Sequence, residues 1–186
     1  MFSKALFLVT LLPLLATSAL AQQLLPAASE IAFTSKQMGV PVEGRFKKFE
    51  VQMNFDPKKP ETGKVAFSID TGSASMGAPE VDGELPKANW FNVAKFPKAS
   101  FESNAIKPTG PGRFDVTGTL NIKGNAQTVV IPVQLAQAGG TTTATGSFFI
   151  KRLIFKIGEN EWTDTSMVAN DVQVKFKLAL SGMASI

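Results

Sequence analysis

The chain has 186 residues, with 19 Lys and Arg against 15 Asp and Glu, a formal charge of +4, and 15 phenylalanines but no His, Cys or Tyr. The missing side chains exclude a Ser-His-Asp triad, thiol catalysis and disulfides, along with the zinc, haem and iron–sulfur sites that need Cys or His ligands. Mild basicity without a long basic run argues against nucleic acid as a partner and fits either a solvated surface or contact with anionic lipid.

The N-terminus carries Lys4, the apolar run Ala5–Ala16 and the small-residue ending Ala19-Leu20-Ala21. That order predicts a secretory signal peptide over 1–21, cleaved after Ala21, and one exported domain over 22–186 in the periplasm or outside the cell. The run is short for a bilayer span, and Gln22-Gln23 follow it where a basic stop-transfer flank would stand.

Strand patterning starts at Ser29–Lys36, where Ile31 and Phe33 alternate with polar neighbours. Val42–Phe55 is a longer strand. Its apolar parity runs Val42, Gly44, Phe46 and then switches to Phe49, Val51, Met53, Phe55, which predicts a β-bulge. A Pro- and Gly-rich turn over Asp56–Gly63 leads to Val65, Phe67 and Ile69. From Asp70 to Pro97 the period is lost. This long connection is predicted as a loop with a short helical turn within Glu80–Pro86, of the kind that caps a domain.

Alternation resumes at Phe101 and Ser103 and continues through Phe114, Val116, Gly118, Leu120 and Ile122. A tight turn at Gly124-Asn125 leads to Val129, Ile131, Val133 and Leu135. Gly139-Gly140 opens Gly146, Phe148 and Ile150, with Arg152–Ile157 continuing at once as strand, and the chain closes on Val172, Val174, Phe176, Leu178 and Leu180. About eight strands at short, regular spacing with almost no helix predict an all-β domain, either a sandwich or an antiparallel barrel. A barrel of that size has an interior that side chains fill or that holds one small ligand.

Several segments, taken in order, resemble the YceI-like family of exported, lipocalin-like barrels that bind polyisoprenoids. Ile31-Ala-Phe33 followed by Gly44–Phe49 resembles the first hairpin of the family, and Leu85–Ser103, with its Trp90-Phe91 pair, is the most specific stretch. Gly118–Gly124 is similar to the family's G-x-L-x-I-x-G hairpin, Lys151-Arg152 with Phe155 and Gly158 to its R-x-D-F-x-I-G strand, and Val168–Leu178 to its closing strand. Two positions depart: Glu84 stands where the family commonly has His, and Ile154 replaces the Asp of the R-x-D-F strand. The resemblance implies a single antiparallel lipocalin-like barrel with an elongated channel for an isoprenoid tail, such as that of a quinone or a polyprenyl phosphate. It further implies carriage, storage or sequestration of that lipid, transient contact with a membrane or membrane protein, and neither enzymatic activity nor a covalent cofactor.

Phe33, Phe46, Phe67, Phe101, Phe114, Phe148 and Phe176 share the apolar parity of their strands. Each one alone reads as packed core; together they read as a lining suited to a hydrocarbon chain, since a Phe ring offers no polar handle. Arg152 either meets a phosphate or quinone oxygen through its fork of donors or caps the barrel by pairing with Asp164 or Asp171. Trp90 and Trp162 either plug one end or close the channel mouth around a headgroup. Lys47-Lys48 and Lys58-Lys59 read as solvated strand ends. The alternative from another functional class is a ligand-free interaction or stress-response protein whose barrel is fully packed.

Overall fold

The computed structural model describes residues 22–186, so the predicted signal peptide over 1–21 lies outside the described residues. Eleven strands form one antiparallel sheet. They are β1 (Gln23–Leu24), β2 (Glu30–Gln37), β3 (Val40–Phe46), β4 (Phe49–Asn54), β5 (Lys64–Asp70) and β6 (Ala74–Ser75), followed by β7 (Lys98–Gly110), β8 (Arg113–Ile122), β9 (Asn125–Ala138), β10 (Thr141–Lys151) and β11 (Asp171–Ser181). One short helix, α1 (Pro79–Glu84), interrupts them between β6 and β7.

Hairpin chemistry sets the order. Met38-Gly39, Lys123-Gly124 and Gly139-Gly140 all sit at positive φ, between 48° and 81°, as two-residue turns matched to strand twist require. The second of these turns is shifted from its expected place: Ile122 faces Asn125 across the ladder, so Lys123-Gly124 is the turn and Asn125 already belongs to β9. Alternation holds within the strands. In β8, Phe114, Val116, Gly118, Leu120 and Ile122 are all buried while their neighbours face outward.

The sheet runs β4-β5-β7-β8-β9-β10-β11-β2-β3-β6, so that β3, edged only by the two-residue β6, and β4 lie near its opposite ends although they are halves of one stretch of chain. β3 pairs with β2, the chain kinks at Lys47-Lys48, and β4 then pairs with β5. The parity switch predicted as a bulge is therefore also a change of partner. At the kink the freed Lys47 N–H donates to Ser73 O at 3.2 Å and the Lys48 N–H to Ser73 Oγ at 3.0 Å, so neither amide is left unpaired. Counting β3 and β4 as one stave, the curled wall has eight: β2, β3–β4, β5, β7, β8, β9, β10 and β11. Beside β4, the Gln22 side-chain amide stands in for a strand. Its Nε2 donates to Phe55 O at 2.6 Å, and Phe55 N–H donates to its Oε1 at 3.0 Å.

The long connection folds over one end of the barrel. Proline at the first turn of α1 and Glu80 and Asp82 beside its free N–H groups favour a helix start there. The Asp82 carboxylate then accepts from Ser75 Oγ (2.7 Å) and Met76 N–H (2.6 Å), tying α1 to β6. These donors, Ser75 first, hold the Asp82 carboxyl below its ordinary range. Arg152 departs from expectation: β10 ends at Lys151, and Arg152–Phe155 is a 3₁₀ turn rather than continued strand. Lys156, at φ 55°, ends that turn.

Candidate functional site

Inward-facing side chains line two adjoining cavities along the barrel axis. The narrow end, of about 130 Å³, is bordered by apolar residues alone, among them Phe55, Phe67, Phe101, Phe114 and Phe176. The wide end, of about 500 Å³, lies under α1 and the loops around it, and takes in Phe33, Phe46, Trp90, Arg152 and Trp162. Ile31, Ile69, Leu120, Phe148 and Val174 border both, a waist of shared side chains between the two. The wide end alone falls within the range of ordinary small-molecule sites, about 300–1,000 Å³.

The structure thus places Phe33, Phe46, Phe67, Phe101, Phe114, Phe148, Phe176, Trp90 and Arg152 on the walls of these two adjoining cavities, the lumen of the barrel. Several rings pack on each other, with centroids 5.4 Å apart for Phe33–Phe46, 6.3 Å for Phe67–Phe101 and 5.2 Å for Phe55–Phe114. Glycines face several of these rings. Phe33 faces Gly44 directly across the β2–β3 ladder and Phe176 faces Gly146 across β10–β11, while Phe101 lies diagonal to Gly118. A Cβ at any of these glycines would overlap the ring it faces. The tip of each ring therefore sits over bare backbone.

Arg152 is on the wall, but its donors are committed elsewhere. It is 1% exposed, and Nε donates to Ala169 O, Nη1 to Ile157 O and Gly158 O, and Nη2 to Trp162 O and Val168 O, at 2.6–3.1 Å. All five guanidinium N–H bonds are used on backbone carbonyls, so none remains for a ligand. The expected pairing with Asp164 or Asp171 is not formed either: Asp171 meets Lys151 at 2.6 Å, and the Asp164 carboxylate accepts from Ser166. Burial pushes the Arg152 pKa down from its ordinary value, yet a guanidinium stays charged. Its work is to knot the 152–169 loop onto the end of the barrel.

A second knot had no signal in the sequence. Lys123, 6% exposed at its hairpin turn, donates through Nζ to Ala88 O (2.7 Å), Lys156 O (2.7 Å) and Glu159 Oε2 (2.8 Å). It joins the 86–96 loop to the 152–163 loop, and with them Trp90 to Trp162, whose rings meet at a 47° tilt with centroids 5.4 Å apart. The lysine pairs separate: Lys47-Lys48 edge an outer groove at the kink with Arg45, Phe49 and Lys98, whereas Lys58 and Lys59 are exposed on the β4–β5 turn. Among the described residues no group of three or more His, Cys, Asp or Glu is placed to hold a metal.

A curled antiparallel barrel with a capped, Phe-lined lumen matches the YceI-like domain, whose family model covers residues 23–180. The chain belongs to the YceI-like family. Burkholderia cenocepacia BcnA superposes with a TM-score of 0.82 at 44% identity, covering 84% of this chain and 99% of that one. A UPF0312 protein of Azotobacter vinelandii and Protein YceI of Salmonella arizonae are each 38% identical over 96 residues, which is 52% of this chain and 50% of each relative. The chain spans about half the length of the curated relatives it matches. A polyisoprenoid binding domain from Saccharophagus degradans shares the fold, with a TM-score of 0.67 at 18% identity over 87% of this chain and 98% of that one. Of the two departures from the YceI-like pattern, Glu84 sits on the rim of the wide cavity and Ile154 is exposed on the 3₁₀ turn.

The glycine seats make a direct prediction. At Gly44 the three atoms nearest an added Cβ all belong to the Phe33 ring, so Gly44→Ala should push that ring into the lumen while leaving the ladder intact. Uptake of a prenyl probe should fall roughly tenfold, the equivalent of about two buried CH₂ groups. Circular dichroism should be unchanged and the cost in stability about 1–3 kcal/mol. Full uptake by a folded G44A protein would show that the seat does not keep the channel open.

Proposed function

We propose that the protein is an exported carrier that buries the isoprenoid tail of an amphiphile in its barrel, for transport, storage or sequestration, without making or breaking a bond. The observation that carries this reading is the lumen itself. Its narrow end is bordered by apolar side chains alone, and rings seated on Gly44, Gly118 and Gly146 leave its length unfilled. Hydrocarbon burial without fixed polar contacts suits a long, branched, featureless tail. The shared fold of the polyisoprenoid binding domain supports the same class of ligand. The tail enters from the wide end, where the lumen is larger and bordered by loops, during transient contact with a membrane or a membrane protein in the periplasm or outside the cell.

Native purification followed by organic extraction and mass spectrometry tests the reading. A prenyl lipid at close to one per chain is the expected result. Protein that is extracted empty, and that takes up no prenyl lipid when offered one, would overturn it.

A further inference from the structure

Below the kink, β4 has a strand neighbour on one side only. It pairs with β5 along Phe49–Asn54, and its free edge lies beside β1, which is laddered to β11 through Gln23 opposite Ser181 and Leu24 opposite Leu180. Among the described residues, two hydrogen bonds cross this seam, and both belong to Gln22: Nε2 donates to Phe55 O at 2.6 Å, and Oε1 accepts from Phe55 N–H at 3.0 Å. The residues after Gln22 are stitched to the β11 side, with Leu25 N–H donating to Ala179 O and Ala179 N–H to Ser29 Oγ. One carboxamide therefore clamps the two sides together. It does so at Phe55, whose ring borders the narrow end of the lumen and packs 5.2 Å from that of Phe114.

Gln22 is also the residue that export leaves first in the chain. Cleavage after Ala21, at the Ala19-Leu20-Ala21 ending, frees its α-amine. A glutamine with a free α-amine can undergo a reaction that is closed to it inside a chain. The amine nitrogen attacks the side-chain carbonyl carbon Cδ and an N–Cδ bond forms. The Cδ–Nε2 bond breaks, and Nε2 leaves as ammonia with one of the amine's protons. No oxidant or co-reactant enters, and the product is the five-membered lactam of pyroglutamate, which carries no terminal charge.

The clamp and the ring make opposite demands on one group. In the clamp the carboxamide reaches across the seam to Phe55. In the lactam the carbonyl is folded back onto its own chain nitrogen, and Nε2, the donor to Phe55 O, is gone. We infer that Gln22 is a pyroglutamate-forming site at which cyclisation and closure of the β4 seam exclude each other. The folded barrel protects the glutamine, and a chain cyclised before folding is left with the seam unclamped. The inference rests on the export reading and is independent of which lipid the lumen holds.

The test begins with the N-terminal peptide of protein harvested from exporting cells, where uncyclised Gln22 is expected as the first residue. Folded and urea-unfolded samples are then held at about pH 8, where the α-amine is largely uncharged and able to attack, and followed by mass for the loss of one ammonia. The folded chain should cyclise about tenfold more slowly or less, the worth of two hydrogen bonds that must open first. Protein cyclised in urea and refolded should exchange its Phe55 amide about tenfold faster than the parent, with the β8 amides unchanged. Gln22→Ala, which cannot cyclise, should match the refolded lactam and so separates loss of the clamp from the chemistry of the ring. Equal cyclisation rates in folded and unfolded protein, a harvested chain that is already the lactam, or a Phe55 amide equally slow in all three proteins overturns the inference. So does a chain that starts at another residue, and a start at Met1 overturns export with it. Prenyl uptake by the parent, measured on the same preparation, decides the carrier reading separately.

Discussion

Arg152→Met is expected to cost about 3–5 kcal/mol of stability, a large fraction of what a single domain possesses. The size comes from what the guanidinium leaves behind. Five backbone carbonyls from Ile157, Gly158, Trp162, Val168 and Ala169 converge on it in a space where the arginine is 1% exposed. A buried acceptor stripped of its donor costs about 1–3 kcal/mol. Some of these carbonyls would recover water as the loop loosens, which keeps the total below five full penalties. The damage should also be local in kind. Amide exchange should accelerate first over the 152–169 loop and the Trp90–Trp162 pair, before the barrel strands. Arg152→Lys should restore only part of the loss, because an ammonium carries three donors and lacks the planar fork that reaches five acceptors. Urea unfolding of the three proteins measures this, and a methionine variant with an unchanged midpoint would remove Arg152 from its role as the knot of the cap.

How much of this was legible in the sequence depends on the range of the interaction involved. Strand identity is local, so the alternation of Phe114, Val116, Leu120 and Ile122 gives the inward face of β8 without knowing its partners. Parity is local too, and the switch between Phe46 and Phe49 correctly marks a break. That β3 and β4 pair with strands at opposite ends of the sheet is not local, and nothing in residues 42–55 states it. Register decides the glycine seats in the same way. Gly44 and Phe33 each stand out by strand parity, but only the ladder sets them face to face.

Arg152 was misplaced for a physical reason. Sequence offers a cation only anions to pair with, and so pointed to Asp164 or Asp171, whereas a folded loop offers carbonyl dipoles that carry no sequence signature. Lys123 escaped notice on the same ground: two of its three acceptors are backbone oxygens, on Ala88 and Lys156. The seven phenylalanines were findable because greasy side chains are placed by period, while polar side chains are placed by partners.

Affinity should climb steeply along a ladder of prenyl lengths with one headgroup and then level off once the lumen is full. Each isoprene unit buried in the channel gains up to ~4 kcal/mol at ~0.8 kcal/mol per CH₂, less the cost of ordering the tail. The position of the plateau reports where the tail ends. Short tails occupy the wide end, between Phe33, Phe46 and the waist at Phe148; longer ones pass the waist and meet Phe101, Phe114 and Phe55. Phe114→Asp should therefore weaken long tails and spare short ones, since hydrocarbon beside an unpaired carboxylate would strip away what water reaches it. Phe101→Asp, nearer the middle of the wall, should act on intermediate lengths as well. Either change strains a buried site, both rings being 5% exposed, so a gentler variant is needed alongside. Ala144, 6% exposed, borders the narrow end, and Ala144→Leu adds hydrocarbon there without adding charge. It should bring the plateau forward by about one isoprene unit while leaving short-tail affinity alone. Calorimetric titration of the parent and the Ala144→Leu protein across the ladder distinguishes the cases. Affinity that follows the headgroup and ignores tail length in both proteins would mean that the phenylalanine-lined lumen is packing, and that the ligand, if any, sits outside it.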